Sequence, residues 1–298
     1  MRRVKSLCCH WVFLLLMIVV ASACAAETRL EYVNSFDGEP ISYSVYGNGD
    51  VALVFVHGWS CDSRYWREQA PYFSKKYKVV TVDLAGHGHS GAGREVYSLR
   101  GFAEDVKAVV EDMGLERVIL IGHSMGGGVA AKATTLMPGP VIGIVGVDNL
   151  QNVESAMPDE ELNAIIDAQK KDFRGAVTSF AEGMIVEGTD PSLKEWIISD
   201  MSAASPRVGI SAFQEFIGTF KDYGMAKIFD EIKVPVRCIN ADLWPTDIEA
   251  NRRHMTSFDV KIMEGLGHFV MMEKPKEFNT ILDGFVEEIK QIAEAKKH

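Results

Sequence analysis

The segment "LIGHSMGGG" sets Ser124 between Gly122 and Gly126, with His123 and Met125 on either side. The apolar run "RVILI" leads straight into it, and the helix-forming run "GGVAAKA" leads straight out. A strand that turns sharply into a helix forces the residue at the turn into a strained backbone conformation, and glycine at the flanking positions keeps neighbouring atoms apart. The serine hydroxyl then stands free at the carboxyl end of the strand, beside a helix N-terminus. Three consecutive glycines at a helix start cost about 1 kcal/mol each relative to alanine, a penalty that close backbone approach would explain. The pentapeptide alone is a weak signal. The strand before it and the helix after it make Ser124 a candidate nucleophile rather than a bystander in a glycine-rich turn.

A neutral serine is a poor nucleophile and needs a base within hydrogen-bond reach. Of the eight histidines, His10 lies in the N-terminal apolar segment, His254 in a charged helical stretch and His298 at the chain end. His57, His87, His89 and His123 sit in glycine-flanked turns at strand ends, where packing or loop bonding accounts for them. His268, in "EGLGHFVMMEKPKEF", follows the last strand and precedes the last helix, a place from which an imidazole reaches the serine turn. An imidazole base in turn needs a carboxylate to fix its tautomer and stabilise its cation. Three aspartates compete: Asp148 at the end of "GIVGVDN", and Asp242 and Asp247 in "NADLWPTD".

The elements that must carry these residues alternate. "LEYVNSF" and "ISYSVYG" flank the turn "DGEP" and read as an opening hairpin. "VALVFVHG", "YKVVTVDL", "RVILIGHS", "VIGIVGVDN", "VPVRCIN" and "DVKIMEG" are near-continuous apolar runs of the kind buried on both faces of a parallel sheet. Helical stretches separate them, among them "SRYWREQAPYFSKK" and "SLRGFAEDVKAVVEDMG", and the amphipathic "KEFNTILDGFVEEIKQIAEAKK" ends the chain. The expected class is α/β, with a mostly parallel eight-stranded sheet and helices on both faces. From about residue 152 to 228 no strand pattern occurs, only helical stretches. The reading is one core built from residues 27–151 and 229–298, interrupted by a helical cap over 152–228, because no linker-like spacer flanks the insertion.

"HGW", "VDLAGHGHS", "GHSMGG" and "GHFVMMEKPKEF", in this order, resemble the α/β-hydrolase fold family in its capped esterase, perhydrolase and C–C hydrolase branch. The likeness spans residues 29 to 293 outside the cap. It implies an oxyanion hole formed by the backbone N–H groups of Met125 and Trp59; losing one such donor typically costs about 3–4 kcal/mol. Dehalogenases and epoxide hydrolases of this fold carry Asp where this chain has Ser124.

Relatives place the acid a few residues beyond the strand that begins "VPV", in a pattern G-x-x-D, and here the chain departs from them. Counted without gaps, Ala241 takes the Gly position and Trp244 falls where Asp is expected, with Asp242 two residues early and Asp247 three late. A two-residue shortening of the loop makes Asp242 the expected acid, with Pro245 near the start of the next helix and Asp247 in its first turn. Asp148 is the alternative, since some relatives supply the acid from the end of the sixth strand. In the cap, Met184, Trp196, Met201, Phe213, Phe216 and Phe220 could face an acyl pocket, although their helical spacing also suits simple core packing. His123, Trp196 and Trp244 are the expected pocket residues.

Hydrophobic residues make up 47% of the 298, enough for a sizeable core. The net charge of −10 gives no basic footprint for a phosphate backbone, so nucleic acid is not an expected partner. No P-loop and no Cys/His spacing for zinc occurs, so neither cofactor nor metal is expected. The expected substrate is a small ester or acyl compound, hydrolysed through an acyl-enzyme. A perhydrolase or haloperoxidase using the same triad is the alternative, and a non-catalytic ligand-binding relative is a further one.

The start "MRRVKSLCCHWVFLLLMIVVASACAAE" has the basic stub, apolar centre and small-residue end of an export signal, expected to span residues 1–26. "ASAC" resembles a lipoprotein cleavage site that would leave a lipidated Cys24 and attach the protein to a membrane, whereas ordinary cleavage nearby would free it. Both place the mature protein outside the cytoplasm. Only Cys61 and Cys238 then remain, which is no disulfide framework.

Overall fold

The computed structural model describes residues 29–296; the expected export signal and Cys24 lie outside the described residues. Eight strands form one sheet in the order β1-β2-β4-β3-β5-β6-β7-β8. They are β1 (Arg29–Asn34), β2 (Pro40–Tyr46), β3 (Ala52–Val56), β4 (Lys78–Val82), β5 (Val118–His123), β6 (Val141–Val147), β7 (Val236–Ala241) and β8 (Phe258–Met263). β2 runs antiparallel to β1 and β4, and every pairing from β4 to β8 is parallel. β3, β5 and β7 are buried at every residue, as strands covered on both faces must be. Each Val, Leu or Ile removed from water in them contributes about 1.5–3 kcal/mol.

The helices are α1 (Ala70–Phe73), α2 (Leu99–Asp112), α3 (Met125–Leu136), α4 (Asp159–Lys171), α5 (Phe173–Gly183), α6 (Pro191–Ser202), α7 (Pro206–Gly218), α8 (Gly224–Asp230), α9 (Ile248–His254), α10 (Val270–Glu273) and α11 (Pro275–Ala295). The stretch "SRYWREQAPYFSKK", expected as one helix, is split into a single 3₁₀ turn at Ser63–Trp66 and the short α1, with Pro71 in the first turn of α1. Proline has no N–H to continue a preceding helix, but it is accommodated in a first turn.

Helices α4 to α8 fill the chain between β6 and β7, where the cap is expected. Their connection to the core is polar as well as apolar. Arg64 pairs with Asp62 and with Asp200 of α6, Arg207 of α7 donates to the carbonyls of Ala92 and Arg94, and the Tyr97 N–H donates to Ser211 Oγ at 3.0 Å. The Trp59 indole N–H donates to the Gly209 carbonyl of α7 at 2.7 Å, and its rings lie edge-on to Phe173, Phe180 and Phe213.

Candidate active site

Ser124 sits between the last residue of β5 and the first of α3 with φ 54° and ψ −121°, a combination that side chains rarely adopt. Two glycines make it possible. A Cβ on Gly122 would run into the backbone of Gly126 and Gly127, and one on Gly126 would meet the Val56 carbonyl and come within 2.6 Å of the His57 carbonyl oxygen. The turn is held further by Asn149, whose side-chain NH₂ donates to the carbonyls of Gly122 and Ser124, each at 3.2 Å. Met125 opens α3 and is buried; N–H groups of a first helical turn have no acceptor within their own helix.

His268 is buried, and its Nδ1 is hydrogen-bonded to Asp148 Oδ2. The other oxygen, Asp148 Oδ1, accepts the Ala241 N–H at 2.8 Å. Asp148 is itself strained, with φ 42°, followed by Leu150 at φ 54°. Asn149 and Asn240 lock this segment to β7: the Asn149 N–H donates to Asn240 Oδ1 at 3.2 Å, and Asn240 Nδ2 returns a bond to the Asn149 carbonyl at 2.9 Å. The expectation that Asp242 partners His268 is corrected. Asp242 is exposed, and its Oδ1 accepts the Gly265 N–H at 2.8 Å, steadying the turn after β8. β6 and β7 are neighbours in register, Val147 opposite Ile239, so both strand ends lie near His268 and the strained turn at Asp148 decides which carboxylate faces it. Asp247 caps α9 by accepting the Ala250 N–H at 2.9 Å.

Two cavities meet at Ser124 and His268. The larger, about 370 Å³, is lined by Leu150, Met157, Phe216, Ile217, Phe220 and Met225, with Glu161 among the remaining residues and no Lys or Arg. The smaller, about 10 Å³, has room for a single water and is enclosed by Gly58, Trp59, Cys61, Phe180, Met184 and Met201, with His123 and Phe269. Gly58 and Trp59 follow β3, so the segment after β3 borders this small space beside the serine. Among the described residues no cluster of three or more His, Cys, Asp or Glu is arranged to hold a metal ion.

A sequence profile of the family described as alpha/beta hydrolase fold matches residues 51–184. Over 280 residues the chain is 29% identical to the non-heme chloroperoxidase of Streptomyces lividans, spanning 85% of this chain and 98% of that protein. It is 37% identical over 109 residues to the bifunctional esterase/perhydrolase DCH of Acinetobacter calcoaceticus, there covering 36% of this chain and 40% of the relative. The solved esterase EaEST from Exiguobacterium antarcticum superposes with a TM-score of 0.76 at 21% identity, covering 86% of this chain and 98% of that one. The chain has the α/β-hydrolase fold.

Within this fold, the residues expected to line the pocket divide. His123 borders the small cavity, but its Nε2 is committed to the His268 carbonyl at 3.0 Å. Burial, and next the nearby His268, push its pKa well below the ordinary value, so it stays neutral. Trp196 is corrected: it lines neither cavity and packs at a tilt against the buried Tyr65 at 4.9 Å and under Arg67 at 4.4 Å. Trp244 also lines neither; it is 38% exposed and meets the His268 ring edge-on at 5.4 Å. Of the cap residues, Phe216 and Phe220 line the large cavity and Met184 and Met201 the small one, while Phe213 packs on Trp59. Burial raises the Cys61 thiol well above its usual range, which leaves it unreactive at the cavity wall. Cys238 is buried in the core.

Sequence reasoning passed over Asn149, Asn240 and Glu273. A signal existed for the first two: asparagines at the ends of two apolar strands are buried polar groups that need partners, which Asn240 finds in the Asn149 backbone and Asn149 in the serine turn. Glu273, in "MMEKP", carries no such mark.

Proposed function

We propose that the protein is a serine hydrolase that cleaves carboxylic esters or related acyl compounds through an acyl-enzyme. One observation carries this reading: a serine in strained backbone geometry shares a cavity with a buried histidine whose Nδ1 is bonded to a buried aspartate. Asp148 accepts from Nδ1–H and so leaves Nε2 as the proton acceptor. His268 then takes the Ser124 proton as Oγ attacks the substrate carbonyl. The oxyanion that develops is held by the N–H groups of Met125 and Trp59, fixed donors that need no reorganisation. The imidazolium returns its proton to the leaving alcohol, and water releases the acid by the same steps in reverse order. The apolar large cavity, with Glu161 at its wall and no cation, suits a neutral substrate rather than a carboxylate-bearing one.

Labelling by a fluorophosphonate probe tests the assignment. The wild type should label at Ser124 and hydrolyse p-nitrophenyl acetate, and Ser124→Ala should do neither; labelling that persists in the variant sinks the reading. Similarity to a chloroperoxidase over most of the chain favours one second reading, in which peroxide replaces water in the deacylation step. Peroxide-dependent bromination faster than ester hydrolysis would select it. The leader-like N-terminus supports action outside the cytoplasm, and mass spectrometry of the mature N-terminus tests both cleavage and lipidation at Cys24.

A further inference from the structure

Three consecutive backbone N–H groups in the His268 loop have acceptors drawn from two sources. The His268 N–H itself donates to the carbonyl of Met184, at the end of α5 in the cap, at 2.8 Å. The N–H groups on either side go to one carboxylate: Gly267 to Glu273 Oε2 at 3.2 Å and Phe269 to Glu273 Oε1 at 3.3 Å. Glu273 closes the short helix that starts two residues after His268, so its side chain folds back over the loop. Its Oε2 also accepts the hydroxyl of the buried Thr189, a cap residue, at 2.8 Å. One half-buried carboxylate therefore straddles the histidine and ties its loop to the cap. Glu273 reaches neither cavity, so it has no access to the reacting atoms.

We propose that Glu273 is a positioning residue for His268, holding the backbone on both sides of the base in register with the cap. A carboxylate suits the task because it presents acceptors only, while three donors converge on it. An amide cannot replace it fully. Whichever way a glutamine is turned, its NH₂ faces one of the two N–H groups that flank His268. Displacements of about 1 Å in a reacting group cost on the order of 10²-fold in rate, so a partial loosening of the loop acts on turnover more than on substrate binding.

The proposal rests on the reading of His268 as the base. Glu273→Gln is compared with wild type for kcat, KM, fluorophosphonate labelling rate, Tm and the downfield proton resonance of His268 Nδ1–H, assigned by its loss in His268→Ala. The expected result is a fall of about tenfold or more in kcat and labelling, a KM within twofold, and a shifted or broadened Nδ1–H resonance in a protein that still melts cooperatively. Wild-type kcat and an unmoved resonance overturn the proposal. Should the variant fail to fold, Thr189→Val, which removes only the cap hydroxyl, carries the test with an expected fall of about threefold in kcat; wild-type kcat there overturns it too. The two readings fail differently. Full activity in His268→Ala removes the base, whereas an inactive His268→Ala beside an unimpaired Glu273→Gln removes only the role of Glu273.

Discussion

Replacing Asp148 by asparagine should disable turnover while leaving the fold almost intact, and the reason lies in which oxygen does what. Oδ1 accepts the Ala241 N–H, so an asparagine must turn its carbonyl oxygen there to avoid two donors meeting. That places the NH₂ against His268 Nδ1, where the carboxylate oxygen stood. Facing a donor, Nδ1 gives up its proton, the proton moves to Nε2, and the ring then presents a donor to Ser124 where an acceptor is needed. Loss of the correct tautomer in a serine triad costs about 10⁴ in kcat, about 5.4 kcal/mol at 1.36 kcal/mol per tenfold. Asp242→Asn is the internal control. Its side chain is exposed and needs only one acceptor oxygen for the Gly265 N–H, which asparagine retains, so its kcat should stay within about twofold of wild type. Steady-state hydrolysis of p-nitrophenyl acetate, with labelling rates as a second readout, measures both. A kcat for Asp148→Asn within tenfold of wild type, or a larger loss in Asp242→Asn, would refute the argument.

Asn149→Ala removes the two bonds that hold the serine turn, while the backbone bonds of residue 149 to Asn240 remain; a loss of about 1–3 kcal/mol is expected, with a drop in kcat, and scanning fluorimetry beside kinetics checks it, unchanged Tm and kcat being the refuting pair. Stability should also fall as pH drops below about 6.5, the unfolded histidine value. Burial, then the neighbouring His57, push His87 down to about 3, and burial likewise lowers His57 and His123. Between those limits the unfolded chain binds protons that the folded one refuses, so each such histidine removes about 1.4 kcal/mol per pH unit until its folded pKa is reached. Between pH 6.5 and 5, above the range where ordinary carboxylates titrate, Tm should decline with a shallower slope in His87→Gln; a flat profile would show that these imidazoles are not buried neutral.

Much of the fold is legible because each strand that the sheet buries is written as an apolar run and each connection as a helical period. The serine turn is legible for a related reason: the glycine at 122 is required by backbone collisions only a few residues away, although the one at 126 answers to the distant carbonyls of Val56 and His57. The acid is not, because strand-end aspartates occur on both β6 and β7, and the choice between them depends on a positive φ at Asp148 and on a β7 amide ninety-three residues further along the chain. Trp196 illustrates the same limit. Its helical spacing is compatible with lining the pocket, and only the packing of α6 against Tyr65 and Arg67 shows that it lies outside both cavities.

The Trp59 indole, bonded to α7 and ringed by cap phenylalanines, belongs to a residue that borders the small cavity beside Ser124. Transplanting a foreign cap onto this core, a common route to new specificity, would strand that indole N–H in an apolar environment and unseat the loop beneath it. A graft that keeps the host's α7 backbone at Gly209 should retain turnover. One that replaces it would have to redesign position 59 at the same time, so cap and core here exchange only as a matched pair.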